Sequence, residues 1–213
     1  MLYKTTTKLY RGIYPYKIVL LSAIASSFRG NQLDLIYQNL LKVRIAPNNK
    51  SLLIGHRNLT KTQNELDYAF KLYNVIKDFT NIELRVESPY ITVYTCDQNQ
   101  INNLIAIDKD RVKYVSLPPV DTVLDKNTII SPKRDYDYKV TLGRTTTNHN
   151  AFINWAENSN NLKITKSCKT CLSKDKSWGG THFYVKGEKN LLMAKMHLGG
   201  SIAKIEQIVK QKQ

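Results

Sequence analysis

Between residues 82 and 95 the chain alternates strictly: Ile82, Leu84 and Val86 interleave with Glu83, Arg85 and Glu87, and after Ser88-Pro89 the residues Ile91 and Val93 interleave with Thr92 and Tyr94. Period two on either side of a turn predicts a β-hairpin. The same alternation, in shorter form, predicts strands at 112–117, at 162–166 (Leu162 and Ile164 against Lys163 and Thr165) and at 181–186 (Phe183 and Val185 against His182, Tyr184 and Lys186). Helical spacing of apolar residues predicts helices over 32–43, 62–79, 98–107, 148–158 and 188–198. Thr62 with Glu65 three residues on has the form of a capping box, and Gly199-Gly200 is a normal helix stop. Pro47-Asn48-Asn49 is the expected stop of the first helix. The segment 202–209 has Ile202, Ile205 and Ile208 at a spacing of three that suits a helix, but its place in the order of elements favours a strand, to which it is assigned.

These elements fall into two similar series. Tyr14-Pro15-Tyr16-Lys17-Ile18-Val19-Leu20 and Tyr136-Asp137-Tyr138-Lys139-Val140-Thr141-Leu142 share the form Tyr-x-Tyr-Lys followed by two β-branched residues and Leu. Each is followed by helix, strand, strand, helix, strand. At a nearly constant offset Tyr94 falls on Tyr184, Gln98 on Glu188 and Lys113 on Lys204. The expectation is an α+β chain of two tandem ferredoxin-like (βαββαβ) units. The first occupies 1–118, with N-terminal strands at 2–11 and 14–24 and an inserted helix at 32–43. Leu52-Leu53-Ile54-Gly55-His56-Arg57 offers a second place for that unit to begin. A proline-interrupted linker covers 119–132, and the second unit covers 133–213 with a basic loop at 166–180.

Charge changes this picture from architecture to partners. The 213 residues carry a formal charge of +15. Residues 1–61 hold ten Lys or Arg against the single acid Asp34, residues 62–160 eleven against thirteen, and residues 161–213 eleven against three. Basic ends around a nearly neutral middle suit an anionic partner. The candidate nucleic-acid contacts are Lys4, Lys8, Arg11 and Lys17 near the start, and Lys163, Lys166, Lys169, Lys174, Lys176 and Lys186 toward the end. Lys4 and Lys8 would share one face of an N-terminal strand. Trp178, His182 and Tyr184 supply flat rings on which unpaired bases can stack.

Candidate chemistry is sparse. Cys168-x-x-Cys171 gives two of the four ligands that a structural zinc needs, so neither metal nor cofactor is expected. Three cysteines suit a reducing compartment better than a disulfide framework. No apolar run is long enough to span a bilayer, and the start lacks the apolar core of a signal peptide, so the chain reads as intracellular, in the host cytoplasm or the virion if its origin is viral. The abundance of Asn, Ile, Lys and Tyr suggests an AT-rich viral or mobile-element genome.

The function expected is non-catalytic binding of RNA or single-stranded DNA, with other subunits of a larger assembly as further partners and no membrane. One alternative is a structural or virion-assembly protein with basic surfaces toward genome or neighbours. The other is a metal-independent RNA endonuclease, with His182 beside a basic glycine-containing loop as general acid or base. In architecture alone that last arrangement resembles the RNA-processing endonucleases of CRISPR systems, whose long glycine-rich signature this sequence lacks.

Overall fold

A computed structural model describes residues 2–43, 53–54, 57–58, 62–120, 122–131, 133 and 135–209. The expected helix stop at Pro47-Asn48-Asn49, and Leu52, Gly55 and His56, lie outside the described residues. The chain is mixed α and β and divides into two units, Met1–Val123 and Leu124–Gln213.

The first unit runs β1 (Leu2–Thr5), β2 (Tyr16–Leu21), α1 (Leu33–Leu41), the short strands β3 (Leu53–Ile54) and β4 (Arg57–Asn58), α2 (Gln63–Ile76), β5 (Ile82–Glu87), β6 (Tyr90–Thr95), α3 (Gln98–Ile107) and β7 (Val112–Leu117). Its five-stranded sheet has the order β1-β7-β2-β6-β5. The β5–β6 hairpin is antiparallel with Glu87 opposite Tyr90, as the alternation predicts. β2 lies antiparallel between β6 and β7. The strand pair expected from 2–11 and 14–24 does not form. β1 instead joins β7 in parallel, with Leu2 opposite Tyr114, and only an isolated bridge links Tyr10 to Tyr14. A strand just four residues long can pair with any exposed edge, and local pattern does not choose which.

The second unit repeats that plan. It runs β8 (Thr128–Ile129), β9 (Tyr138–Leu142), α4 (Asn150–Glu157), β10 (Leu162–Ile164), α5 (Lys166–Leu172), β11 (His182–Val185), α6 (Glu188–Leu198) and β12 (Ile202–Ile208). Its sheet order is β10-β11-β9-β12-β8, and β8 runs parallel to β12 as β1 does to β7. A bulge sits at the same place in both sheets. Lys113 is the extra residue where β7 passes Val19 and Leu20, and Ala203 is the extra residue where β12 passes Thr141 and Leu142. Tyr94 corresponds to Tyr184 and Gln98 to Glu188, as the sequence offset has it. Lys113, however, corresponds to Ala203, and Tyr114 to Lys204, one residue away from the expected match. Two further expectations change here. Within the supposed linker, Leu124 and Ile129 are buried and Thr128–Ile129 pairs with β12. The supposed loop at 166–180 begins with the helix α5.

Each sheet buries one face under its helices. In the first unit Ile18, Leu20, Leu84, Ile91, Val93, Val112 and Val115 meet Ile36 and Leu40 of α1, Ala69, Leu72 and Ile76 of α2, and Ile101 and Leu104 of α3. The stripe on α2 centres on Tyr68, Ala69, Leu72 and Ile76, whereas Phe70 and Tyr73 turn toward Tyr37 of α1. Thr62 caps α2 by accepting from the Glu65 amide. The Glu65 carboxylate leaves the capping box to accept from Ala23 N and from Arg111, which also pairs with Asp108. That network ties α2 to the β2 exit and the β7 entry. In the second unit Val140, Leu142, Phe183 and Val185 meet Phe152, Ile153 and Ala156 of α4, Leu191, Ala194 and Leu198 of α6, and Cys168, Cys171 and Leu172 of α5. Thr165 starts α5 by accepting from Cys168 N, and the i, i+3, i+4 spacing of Cys168, Cys171 and Leu172 gives it a buried stripe. The helix is visible in the sequence once cysteine is read as a small apolar residue.

Candidate nucleic-acid interface

On a strand the residues next to core positions point to the opposite face. Ile18 and Leu20 face the helices, so Lys17 faces away. It lies opposite Ser116 on β7 and Tyr94 on β6. The residues Tyr90, Thr92, Tyr94, Tyr114, Ser116, Glu83 and Arg85 share that open face, and Lys4 joins it from β1 opposite Ser116. The Lys17 ammonium lies 5.2 Å from the centre of the Tyr10 ring, 5.8 Å from Tyr94 and 5.0 Å from Tyr114. Lys4 sits 4.2 Å over Tyr114, and Lys113, pushed outward by its bulge, sits 3.8 Å over Tyr90. Four tyrosines and three lysines therefore form one cation–aromatic layer, in which each ammonium lies against at least one ring.

The segment before β2 lies on this layer. Tyr10 packs 5.4 Å and Tyr14 6.2 Å from Tyr94, leaving Tyr94 only 6% exposed. Arg11, held at φ +53°, pairs with Glu83 at 2.9 Å, and Cys96 Sγ contacts Ile13 O at 3.8 Å. Burial, reinforced by Glu83, raises the Tyr14 pKa above the ordinary tyrosine value, so the phenol stays neutral. Lys4, Lys17, Tyr90, Lys113 and Tyr114 stay wholly or partly accessible on this face, together with Arg85, which pairs with Glu87.

The open face of the second unit uses the corresponding positions. Lys139 on β9 lies opposite Tyr184 on β11 and Glu206 on β12, and Lys163 on β10 lies opposite Tyr184. Tyr136 packs 5.9 Å from Tyr184, as Tyr14 packs on Tyr94. The Tyr-x-Tyr-Lys repeat therefore has a physical content: its first Tyr covers the Tyr of β6 or β11, its second packs against the core, and its Lys stands on the open face. Other positions differ. His182 stands where the first unit has Thr92, Lys204 where it has Tyr114, and Glu206 where it has Ser116. Lys204 Nζ donates to Glu206, itself 3% exposed, at 2.7 Å. His182 Nε2 shares a 3.4 Å contact with the Tyr184 hydroxyl. Burial, then the Lys139 charge, lowers the His182 pKa below its usual value against the opposing pull of Glu206. At neutral pH this imidazole is uncharged.

No protein-family model, curated protein or solved structure matches this chain. The site rests on its own geometry.

The structure places the sequence candidates in several groups. Lys4 and Lys17 meet on one open face, and Lys163, His182 and Tyr184 on the other. Lys8 lies beyond the end of β1, exposed and off the strand, so it does not share a strand face with Lys4. Arg11 is engaged with Glu83. Lys166 and Lys169 belong to α5 in the helical layer, and Lys169 donates to Glu157 at 2.5 Å. Lys174 and Lys176 follow α5, and Lys186 follows β11, all three exposed. Trp178 is 87% exposed beside Arg144. Sequence reasoning missed Tyr90, Tyr94, Lys113 and Tyr114 in the first unit and Tyr136 and Lys139 in the second. The repeated Tyr-x-Tyr-Lys was the available signal, and it served only to mark the strands.

Among the described residues no group of His, Cys, Asp and Glu is arranged to hold a metal. Cys168 and Cys171 are core residues, and burial pushes the Cys168 thiol up to about 11, which keeps it protonated and unreactive at neutral pH. No helix among the described residues is long and apolar enough to cross a membrane.

Proposed function

We propose that the chain is a tandem pair of ferredoxin-like units, each with an added leading edge strand, that binds single-stranded nucleic acid without cleaving it. The observation that carries this reading is the repetition of a Tyr-and-Lys set at corresponding positions on the open faces of both sheets. Rings in a plane offer stacking to any unpaired base, and the interleaved ammonium groups offer ion pairs to the phosphates between bases. The identical sheet order, the shared bulge and the parallel edge strands support the tandem ferredoxin-like description. A net charge of +15 supports an anionic partner, and the composition supports a viral or mobile-element setting.

A second reading has its own observation. Leu192 and Met196 on α6 are 59% and 72% exposed, one helical turn apart, opposite the side that packs on the sheet. Such a stripe suits a protein neighbour, so assembly with other subunits is proposed alongside nucleic-acid binding. The test is a titration of labelled single-stranded RNA and DNA oligonucleotides with the full chain in EDTA, read by anisotropy, with size measured by light scattering and product by gel. Binding at moderate salt by a monomer, with intact oligonucleotide, is the expected result. Self-assembly without oligonucleotide binding would replace it with the assembly reading, and metal-free cleavage that is lost in His182→Ala would replace it with the endonuclease reading.

A further inference from the structure

A cation–aromatic pair outside both open faces is built with more care than an idle surface needs. After α5 the chain returns toward β11 through residues 177–181, which run antiparallel to 142–145 and extend the β9–β11 ladder past the ends of both strands. Thr145 N donates to Ser177 O at 2.9 Å and Ser177 N to Thr145 O at 3.1 Å. Leu142 N donates to Thr181 O and Gly180 N to Leu142 O, each at 2.8 Å. Between these bonds Gly179 adopts φ +76°, and a Cβ there would stand 2.0 Å from Gly143 O. Only glycine fits so close a crossing of two backbones. The Ser177 hydroxyl is fixed from below by Cys171 Sγ at 2.8 Å, and it accepts from Gly179 N at 3.4 Å. The backbone that carries Trp178 is therefore held from both sides.

The side chain it carries is not held in the core. Trp178 is 87% exposed, with the Arg144 guanidinium 5.2 Å from its ring centre. Arg144, Lys174 and Lys176 are all exposed, and among the described residues none of the three is in an ion pair. A large aromatic surface left in water is costly, and here a rigid turn presents it amid unpaired cations. The chemistry that fits is a flat, electron-rich ring attached to an anion. We infer that Trp178 and Arg144 form a stacking station for one unpaired nucleobase, with Arg144, Lys174 and Lys176 taking the adjoining phosphates. The inference rests on the single-strand reading of the protein and deepens it, because the station sits on the segment that leads directly into β11, which carries His182 and Tyr184.

The test uses the full chain and two probes, a 12-nucleotide oligouridylate and a 12-nucleotide oligodeoxythymidylate. The chain has two tryptophans, and Trp155 is stacked 5.3 Å from His197, so the emission difference between the parent and Trp178→Phe isolates Trp178. The expected result is quenching of that difference signal by either probe, but not by a self-complementary duplex of equal length, whose base faces are already covered. Trp178→Ala should weaken binding about five- to hundredfold with an unchanged salt slope. Arg144→Ala should also reduce the slope by about 0.7. Arg144→Lys should restore the slope without restoring the full affinity, since an ammonium does not stack. Probes that bind with parental anisotropy change yet leave Trp178 emission and the Trp178→Ala affinity unaltered would overturn the station and leave the open faces standing. Equal quenching by the duplex, or a lowered melting temperature of Trp178→Ala, would overturn stacking in favour of a structural role. Absence of any binding would remove both the station and the reading it rests on.

Discussion

Replacing Lys17 and Lys139 together by alanine is expected to lower affinity for a single-stranded oligonucleotide about 25-fold at 0.1 M salt. Each phosphate contact on a single strand contributes about −0.7 to the slope of log K against log salt, so losing two should flatten the slope by about 1.4. The two lysines occupy the same position in their sheets, the centre of the open face. Both side chains stand away from the core, so the double variant should fold and melt as the parent does. Anisotropy titrations between 50 and 300 mM salt provide the check. Phosphate contacts position a strand without reading it, so the loss should be the same across sequences. An unchanged slope in a folded double variant would mean that the centre of neither face touches phosphate.

The second large effect is on stability. Phe183→Ala should cost about 3–5 kcal/mol, because a fully buried ring is lost and the space is only partly refilled. Phe183 is 0% exposed and packs 5.1 Å from Phe152, at the heart of the second core. A domain's net stability is about 5–15 kcal/mol, so urea unfolding should show the second unit losing about a fifth or more of its margin. Phe183 and Tyr184 are neighbours on opposite faces of β11. Oligonucleotide binding by Phe183→Ala should therefore fall only in proportion to the unfolded fraction, whereas a Tyr184 variant should lose binding while remaining folded. Loss of binding without loss of stability in Phe183→Ala would contradict the assignment of faces.

How much of this was legible in the sequence differs from element to element. The β5–β6 hairpin and the β10 and β11 strands announce themselves through alternation, because one face of each is wet. The parallel pairing of β1 with β7, and of β8 with β12, leaves no local trace, since partners over a hundred residues apart in one case and nearly eighty in the other are chosen by the sheet edge. α5 was hidden because Cys168 and Cys171 drew attention as metal ligands and the lysines around them, Lys166, Lys169, Lys174 and Lys176, suggested a loop. The match of Lys113 to Ala203 keeps the offset that links Tyr94 to Tyr184 and Gln98 to Glu188, so the expected match to Lys204 lay one residue off a register that the sequence itself carried. For the candidate interface the limit was different. Lys17, Lys139, Tyr94 and Tyr184 were all visible as repeat markers, but their meeting depends on β2 and β9 being central strands. Only the register puts Tyr94 beside Lys17 and Tyr184 beside Lys139.

The placement of nucleic acid on the open faces is tested most directly by zero-length ultraviolet crosslinking of the full chain to a single-stranded oligonucleotide, with the crosslinked residues mapped by mass spectrometry. The expected adducts are on Tyr90 or Tyr114 in the first unit and on His182 or Tyr184 in the second, all competed by unlabelled single strand. Adducts confined to the α5 side, on residues 166–172, or spread evenly over the basic surface would contradict it.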